Sequence, residues 1–142
     1  MRKATSDEGS QRSSELVLIA DDNPVSQLLL SRFFMLKGIS TDLAKNGTTA
    51  VELAVKCDYT LIIMDLYMPG MDGLSATRSI RTHEARNARP NVPIIVISGS
   101  GNKGCDKECL EAGANAYAAK PISFPQLEAL LAHLGILSPS EN

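Results

Sequence analysis

Hydrophobic residues in this chain fall into short unbroken runs, separated by stretches with helical spacing. Leu16-Val17-Leu18-Ile19-Ala20, Leu61-Ile62-Ile63-Met64 and Ile94-Ile95-Val96-Ile97 show no polar alternation, the pattern of strands buried on both faces of a parallel sheet. Two further strands are predicted at Ile39–Leu43 and Ala114–Ala118. Helical patterns lie between them. The first runs over Pro24–Lys37, with Val25, Leu28, Leu29, Phe33 and Leu36 at core spacing and Gly38 as its stop. The others are predicted over Gly47–Lys56, Gly73–Glu84, Lys103–Ala112 and Phe124–Leu134. Strict strand–helix alternation predicts βαβ units and a doubly wound α/β fold with a five-stranded parallel sheet, flavodoxin-like in order.

Polar residues at the ends of the runs change the picture from fold to chemistry. Asp21-Asp22 ends the first run, Asp65 follows Met64, Ser98 follows Ile97, and Lys120 follows Ala116-Tyr117-Ala118-Ala119. Parallel strands deliver their last side chains to one edge of the sheet, where open α/β folds hold their sites. Asp65 stands before Met68-Pro69-Gly70-Met71-Asp72-Gly73, so it is a carboxylate on a rigid stalk ahead of a chain breaker. Adjacent carboxylates repel unless a cation lies between them. Asp22 or Asn23 before Pro24 also makes a helix start, so one residue can cap while its neighbour faces the site. Three acids, a hydroxyl and a lysine at one edge constitute a candidate site.

These strings resemble the receiver domain of two-component response regulators. The resemblance spans about Leu16 to Leu134 and rests on Asp21-Asp22-Asn23-Pro24, Met64 through Gly73, Ser98-Gly99 and Tyr117-Ala118-Ala119-Lys120-Pro121, in the family's order. The flavour is most similar to receivers of hybrid histidine kinases. The resemblance implies that Asp65 is the phosphoacceptor. It also implies Mg²⁺ (or Mn²⁺) on Asp21, Asp22, Asp65 and the main-chain carbonyl of Tyr67. Ser98, Gly99 and Lys120 would bind the phosphoryl group, Ser98 and Tyr117 would form the switch, and Lys120-Pro121 would be cis. The hard oxygen donors suit Mg²⁺, and an ionised carboxylate needs no separate base. Capture of the phosphoryl group by Ser98 would pull on the Gly- and Ser-rich loop 99–104, making helix four, strand five and helix five the output surface. The implied donor is a histidine kinase or a histidine phosphotransfer protein, docked on helix one through Ser26, Leu29, Leu30 and Phe33 or Phe34. Tyr67 and Ser100 would flank the path of hydrolytic water.

Composition supplies exclusions. A net charge of -2 and pI near 5.6 give no basic surface for nucleic acid. No apolar stretch reaches transmembrane length, and the polar N-terminus lacks a signal-peptide core, so a cytoplasmic location (or the cytoplasmic face of the membrane, within a hybrid kinase) is expected. Three cysteines point to a reducing compartment. Cys105 and Cys109 would share a helix face, read as ordinary thiols ahead of a metal or redox pair. His83 and His133 are expected on the surface, and Asp72 as the cap of helix three. Residues 1–14, rich in Ser and charge, read as a disordered tail, 15–137 as the receiver domain and 138–142 as a second tail. No output domain is expected after Leu134, which leaves a stand-alone receiver or one cut from a hybrid kinase, with no independent turnover. Two alternatives stand beside this reading. A haloacid-dehalogenase-type phosphohydrolase wants Asp-x-Asp after strand one, where Asp21-Asp22-Asn23 stands. A receiver that binds partners without phosphorylation would not need competent residues at all five site positions.

Overall fold

The computed structural model describes residues 15–99 and 105–136. Five parallel strands form one sheet in the order β2-β1-β3-β4-β5, with β1 Leu16–Ala20, β2 Ser40–Ala44, β3 Leu61–Asp65, β4 Ile94–Ser98 and β5 Ala116–Ala119. The three unbroken runs are the three central strands, buried along their whole length, while β2 and β5 are the edges and partly exposed. Five helices follow the strands: α1 Pro24–Leu36, α2 Gly47–Lys56, α3 Gly73–Arg86, α4 Cys105–Ala112 and α5 Phe124–Leu134.

The sheet separates two cores. One face packs Leu18, Ile62, Met64, Ile94 and Val96 against α2, α3 and α4; the other packs Val17, Ile19, Ile63, Ile95 and Ile97 against α1 and α5. Local signals start the helices where the chemistry allows. Asn23 accepts hydrogen bonds from Val25 N and Ser26 N with Pro24 in the first turn. Asn46 and Asp72 cap α2 and α3, and Ser123 with Gln126 forms a reciprocal capping box on α5.

The face of α1 differs from the predicted one. Leu30, Phe33 and Phe34 are buried, whereas Val25, Leu28, Leu29, Met35 and Leu36 are exposed. This helix is apolar nearly all round, so its spacing admits two phases. The phase that buries both phenylalanines wins because aromatic rings carry the largest apolar area; Phe33 stacks edge-on against Phe34 and Phe124, each at 5.0 Å. Two strands are also displaced from prediction. Ile39 is used to close α1, its N–H donating to Phe34 O at 3.0 Å, so β2 begins at Ser40. Ala114 N donates to Cys109 O at 3.0 Å in the same way, so β5 begins at Ala116.

Candidate functional site

Strand register brings the candidate residues together. Ala20 pairs with Met64, Asp65 with Ile97, and Ser98 with Ala119, so Asp21, Asp65, Ser98 and Lys120 all arrive at the carboxyl edge. Gly73 fixes the approach of α3 to this edge. Its N–H donates to Leu66 O at 2.8 Å, and a Cβ there would stand 2.3 Å from the carbonyl oxygen of Asp65. The peptide Lys120-Pro121 is cis, as the resemblance implied.

Asp21 is fully buried and Asp65 nearly so, while Asp22 is exposed. One carboxylate oxygen from each of the three acids can lie within 4.8 Å of the others. Asn23, and not Asp22, caps α1, which leaves the Asp22 carboxylate outside the cap. The third position of Asp21-Asp22-Asn23 is thus a capping amide and not an acid, so no Asp-x-Asp pair stands after β1. Lys120 Nζ lies 3.0 Å from Asp21 Oδ2 and 3.5 Å from Asp65 Oδ2, so the lysine leans toward the first acid. That approach has charge without hydrogen-bond alignment: Asp21 Oδ2 is a buried oxygen with no hydrogen-bond donor. Burial pushes the Asp65 carboxyl up to about 6, the neighbouring charge of Asp21 adds to the rise, and Lys120 opposes it.

With all groups ionised, the three carboxylates outweigh the one ammonium, and the cluster carries an excess of negative charge gathered at one point. A small hard dication fits this donor set, and Asp21 Oδ2, paired in charge with Lys120 but in no aligned hydrogen bond, is a ready ligand.

Ser98 closes β4 and is fully buried, held in the sheet with its carbonyl accepting from Lys120 N at 2.8 Å. It therefore belongs to the rigid strand, not to the loop that follows. Gly99 lies beside the Lys120 side chain, where a Cβ would meet it at 3.4 Å. Tyr117 is half-buried against the core under α4, and Tyr67 is exposed. Ser100, the loop 100–104, the Cys105 side chain and both tails lie outside the described residues; Cys109 is buried.

Two expectations need correction. Of the docking set on helix one, Leu30, Phe33 and Phe34 are buried in the core and only Leu29 is well exposed. His83 is half-buried, not a surface residue, with its ring nitrogens 3.2 Å from Asn87 Nδ2 and from Arg89 Nη1. Arg89 in turn binds Asp58 at 2.8 Å and the carbonyl of Val55 at 3.2 Å, folding the polar segment after α3 back onto the end of α2. Gln27, which donates its side-chain amide to the main-chain carbonyl of Asp21, has no signal in the helical pattern.

Residues 17–132 match the response regulator receiver domain. The chain belongs to that family. It is a receiver domain of a two-component phosphorelay, and its five parallel strands and five helices are the receiver fold. It is 35% identical over 131 residues to the osmosensing histidine protein kinase SLN1 of Saccharomyces cerevisiae, covering 88% of this chain and 10% of the kinase. The sensor protein GacS of Pseudomonas syringae is 34% identical over 111 residues, covering 78% of this chain and 12% of GacS. The chain thus spans about a tenth of the length of these relatives. Among solved structures, the receiver of the Saccharomyces cerevisiae response regulator Ssk1, crystallised with the histidine phosphotransfer protein Ypd1, matches with a TM-score of 0.79 and 31% identity over 85% of this chain and 88% of that one. The receiver of the Pseudomonas aeruginosa sensor kinase PA1611, with magnesium in its active-site cleft, matches with a TM-score of 0.71 and 35% identity over 84% and 95%. Among the described residues, no helix is long and apolar enough to cross a membrane.

Proposed function

We propose that Asp65 of this chain accepts a phosphoryl group from a phosphohistidine, within a receiver unit spanning 15–137. The observation that carries the reading is the convergence of three carboxylates and one ammonium, with Lys120 Nζ 3.0 Å from a buried oxygen of Asp21 that no aligned hydrogen bond holds. Asp21, Asp22 and Asp65, with the Tyr67 carbonyl, would hold Mg²⁺ or Mn²⁺. When bound, the ion neutralises the acids and the incoming phosphoryl oxygens.

The roles of the protein groups follow from the physics of phosphoryl transfer, where positioning and charge neutralisation dominate. An Asp65 oxygen attacks phosphorus, the phosphorus–nitrogen bond breaks, and the donor imidazole takes up a proton. Lys120 leaves its present place between Asp21 and Asp65 to pair with a phosphoryl oxygen. The Ser98 hydroxyl donates to another, and Gly99 leaves room for the group. Asp65 is nearly buried while Tyr67, two residues on, is exposed, and Tyr67 would flank the path of hydrolytic water.

The docking surface is the exposed apolar stripe of α1. Val25 and Leu29 border a groove of about 380 Å³ that continues through Ile122 and Phe124 to Lys120. A histidine on a phosphotransfer protein seated there would face the site, in keeping with the relative crystallised with such a protein. The response would leave through α4, β5 and α5, where Tyr117 and Leu130 line a second groove.

The test is beryllofluoride or acetyl phosphate with Mg²⁺, read by intact mass and amide NMR. One phosphoryl group per chain is expected, lost in Asp65→Asn; labelling that persists in that variant overturns the assignment.

A further inference from the structure

Asp21 lies one residue beyond β1, so its buried carbonyl has no ladder partner of its own. Its N–H is anchored to Ala44 O at 2.9 Å, and its Oδ1 accepts from Asn23 N at 2.9 Å. The carbonyl is taken by the side-chain amide of Gln27, reaching back six residues from the first turn of α1. Gln27 is tied to the same loop a second time, its own N–H donating to Asn23 O at 3.0 Å. These three anchors leave Oδ2, which has Lys120 Nζ 3.0 Å away, as the carboxylate oxygen of Asp21 outside the hydrogen-bond net. Its direction is set by the anchors together with that charge.

We infer that Gln27 is a positioning residue that aims the Asp21 carboxylate at the metal; this rests on the reading of the acids as a Mg²⁺ site. The chemistry at position 27 is selective. A carbonyl needs a donor, which excludes an ionised acid, and a lysine or arginine would set a second cation against the metal. A neutral amide of this length satisfies the carbonyl and leaves the field of the acids intact. Groups one step behind metal ligands typically control affinity by about 10–100-fold.

The full chain is titrated with Mg²⁺ by calorimetry and amide NMR, and amide exchange at Asn23 is followed in EDTA. Gln27→Met is expected to weaken Mg²⁺ about tenfold and to speed Asn23 exchange without metal. Gln27→Asn, which withdraws the amide by one methylene, is expected to do the same. Ser31→Ala removes a 2.8 Å bond to Gln27 O on the same helix without touching Asp21, so it separates helix stability from aim. Its Mg²⁺ affinity should stay within about twofold of wild type. Wild-type affinity in either folded Gln27 variant, or an equal loss in Ser31→Ala, overturns the assignment. If the unaltered chain binds no Mg²⁺, the metal reading falls. The Asn23 amide in EDTA then decides Gln27 alone, and unchanged exchange in Gln27→Met overturns its role.

Discussion

Gly73→Ala tests whether the start of α3 sets the position of the phosphoacceptor strand. The new methyl would sit 2.3 Å from Asp65 O and 3.0 Å from Leu66 Cα, whereas ordinary contact begins near 3.4 Å. About 1 Å must therefore open between α3 and the end of β3, and both obstacles are main chain, which cannot rotate away. Overpacking of this kind costs about 1–3 kcal/mol, offset by at most about 1 kcal/mol of helix propensity. A net loss of about 1–2 kcal/mol lowers the melting temperature by roughly 3–10 °C in a domain of this size. A shift near 1 Å at a reacting group can also slow transfer by about 100-fold. The assay pairs thermal melting with acetyl phosphate labelling followed by intact mass. Gly38→Ala is the control. Its φ of 74° penalises a side chain, but nothing lies within 4 Å of the added methyl, so stability should fall while labelling keeps its rate. Wild-type melting and labelling in Gly73→Ala would refute the argument.

The raised Asp65 carboxyl makes metal-free stability depend on pH. The folded protein holds this proton to about 6 while the unfolded chain releases it near 3.8, so stability falls as pH rises between those values. Asp65→Asn should match the parent at the acid end and exceed it above pH 6 in EDTA, by at most about 3 kcal/mol; parallel melting curves against pH would exclude this. Tyr59 donates to Asp42 Oδ2 at 2.8 Å, and burial followed by that bond drives its phenol far above the usual range. Tyr59→Phe should cost about 1 kcal/mol, and the phenolate absorbance it removes should emerge only with alkaline unfolding in the parent.

The site was legible because a buried parallel strand announces its own end. Asp21, Asp65, Ser98 and Lys120 each follow an apolar run directly, and the sheet carries all four to one edge. What stayed hidden depended on contacts between distant segments. The inner face of α1 could not be read from a helix apolar on two sides, and was decided by Phe124 arriving from α5. The start of β5 was lost in the alanine-rich stretch 112–119, where small residues on both sides of Asn115 give little contrast between loop and strand. The lean of Lys120 toward Asp21, the amide of Gln27 and the grip of Arg89 on α2 are choices of partner, and periodicity does not encode partners.

In a sheet whose strands all point one way, with every helix running back, entry and exit share the edge opposite the acids. β1 begins there at Leu16, and α5 returns there at Leu134. Polypeptide can thus be joined at either end without crossing the reactive rim. That geometry suits a cassette carried by proteins roughly ten times its length, as in the kinases it resembles.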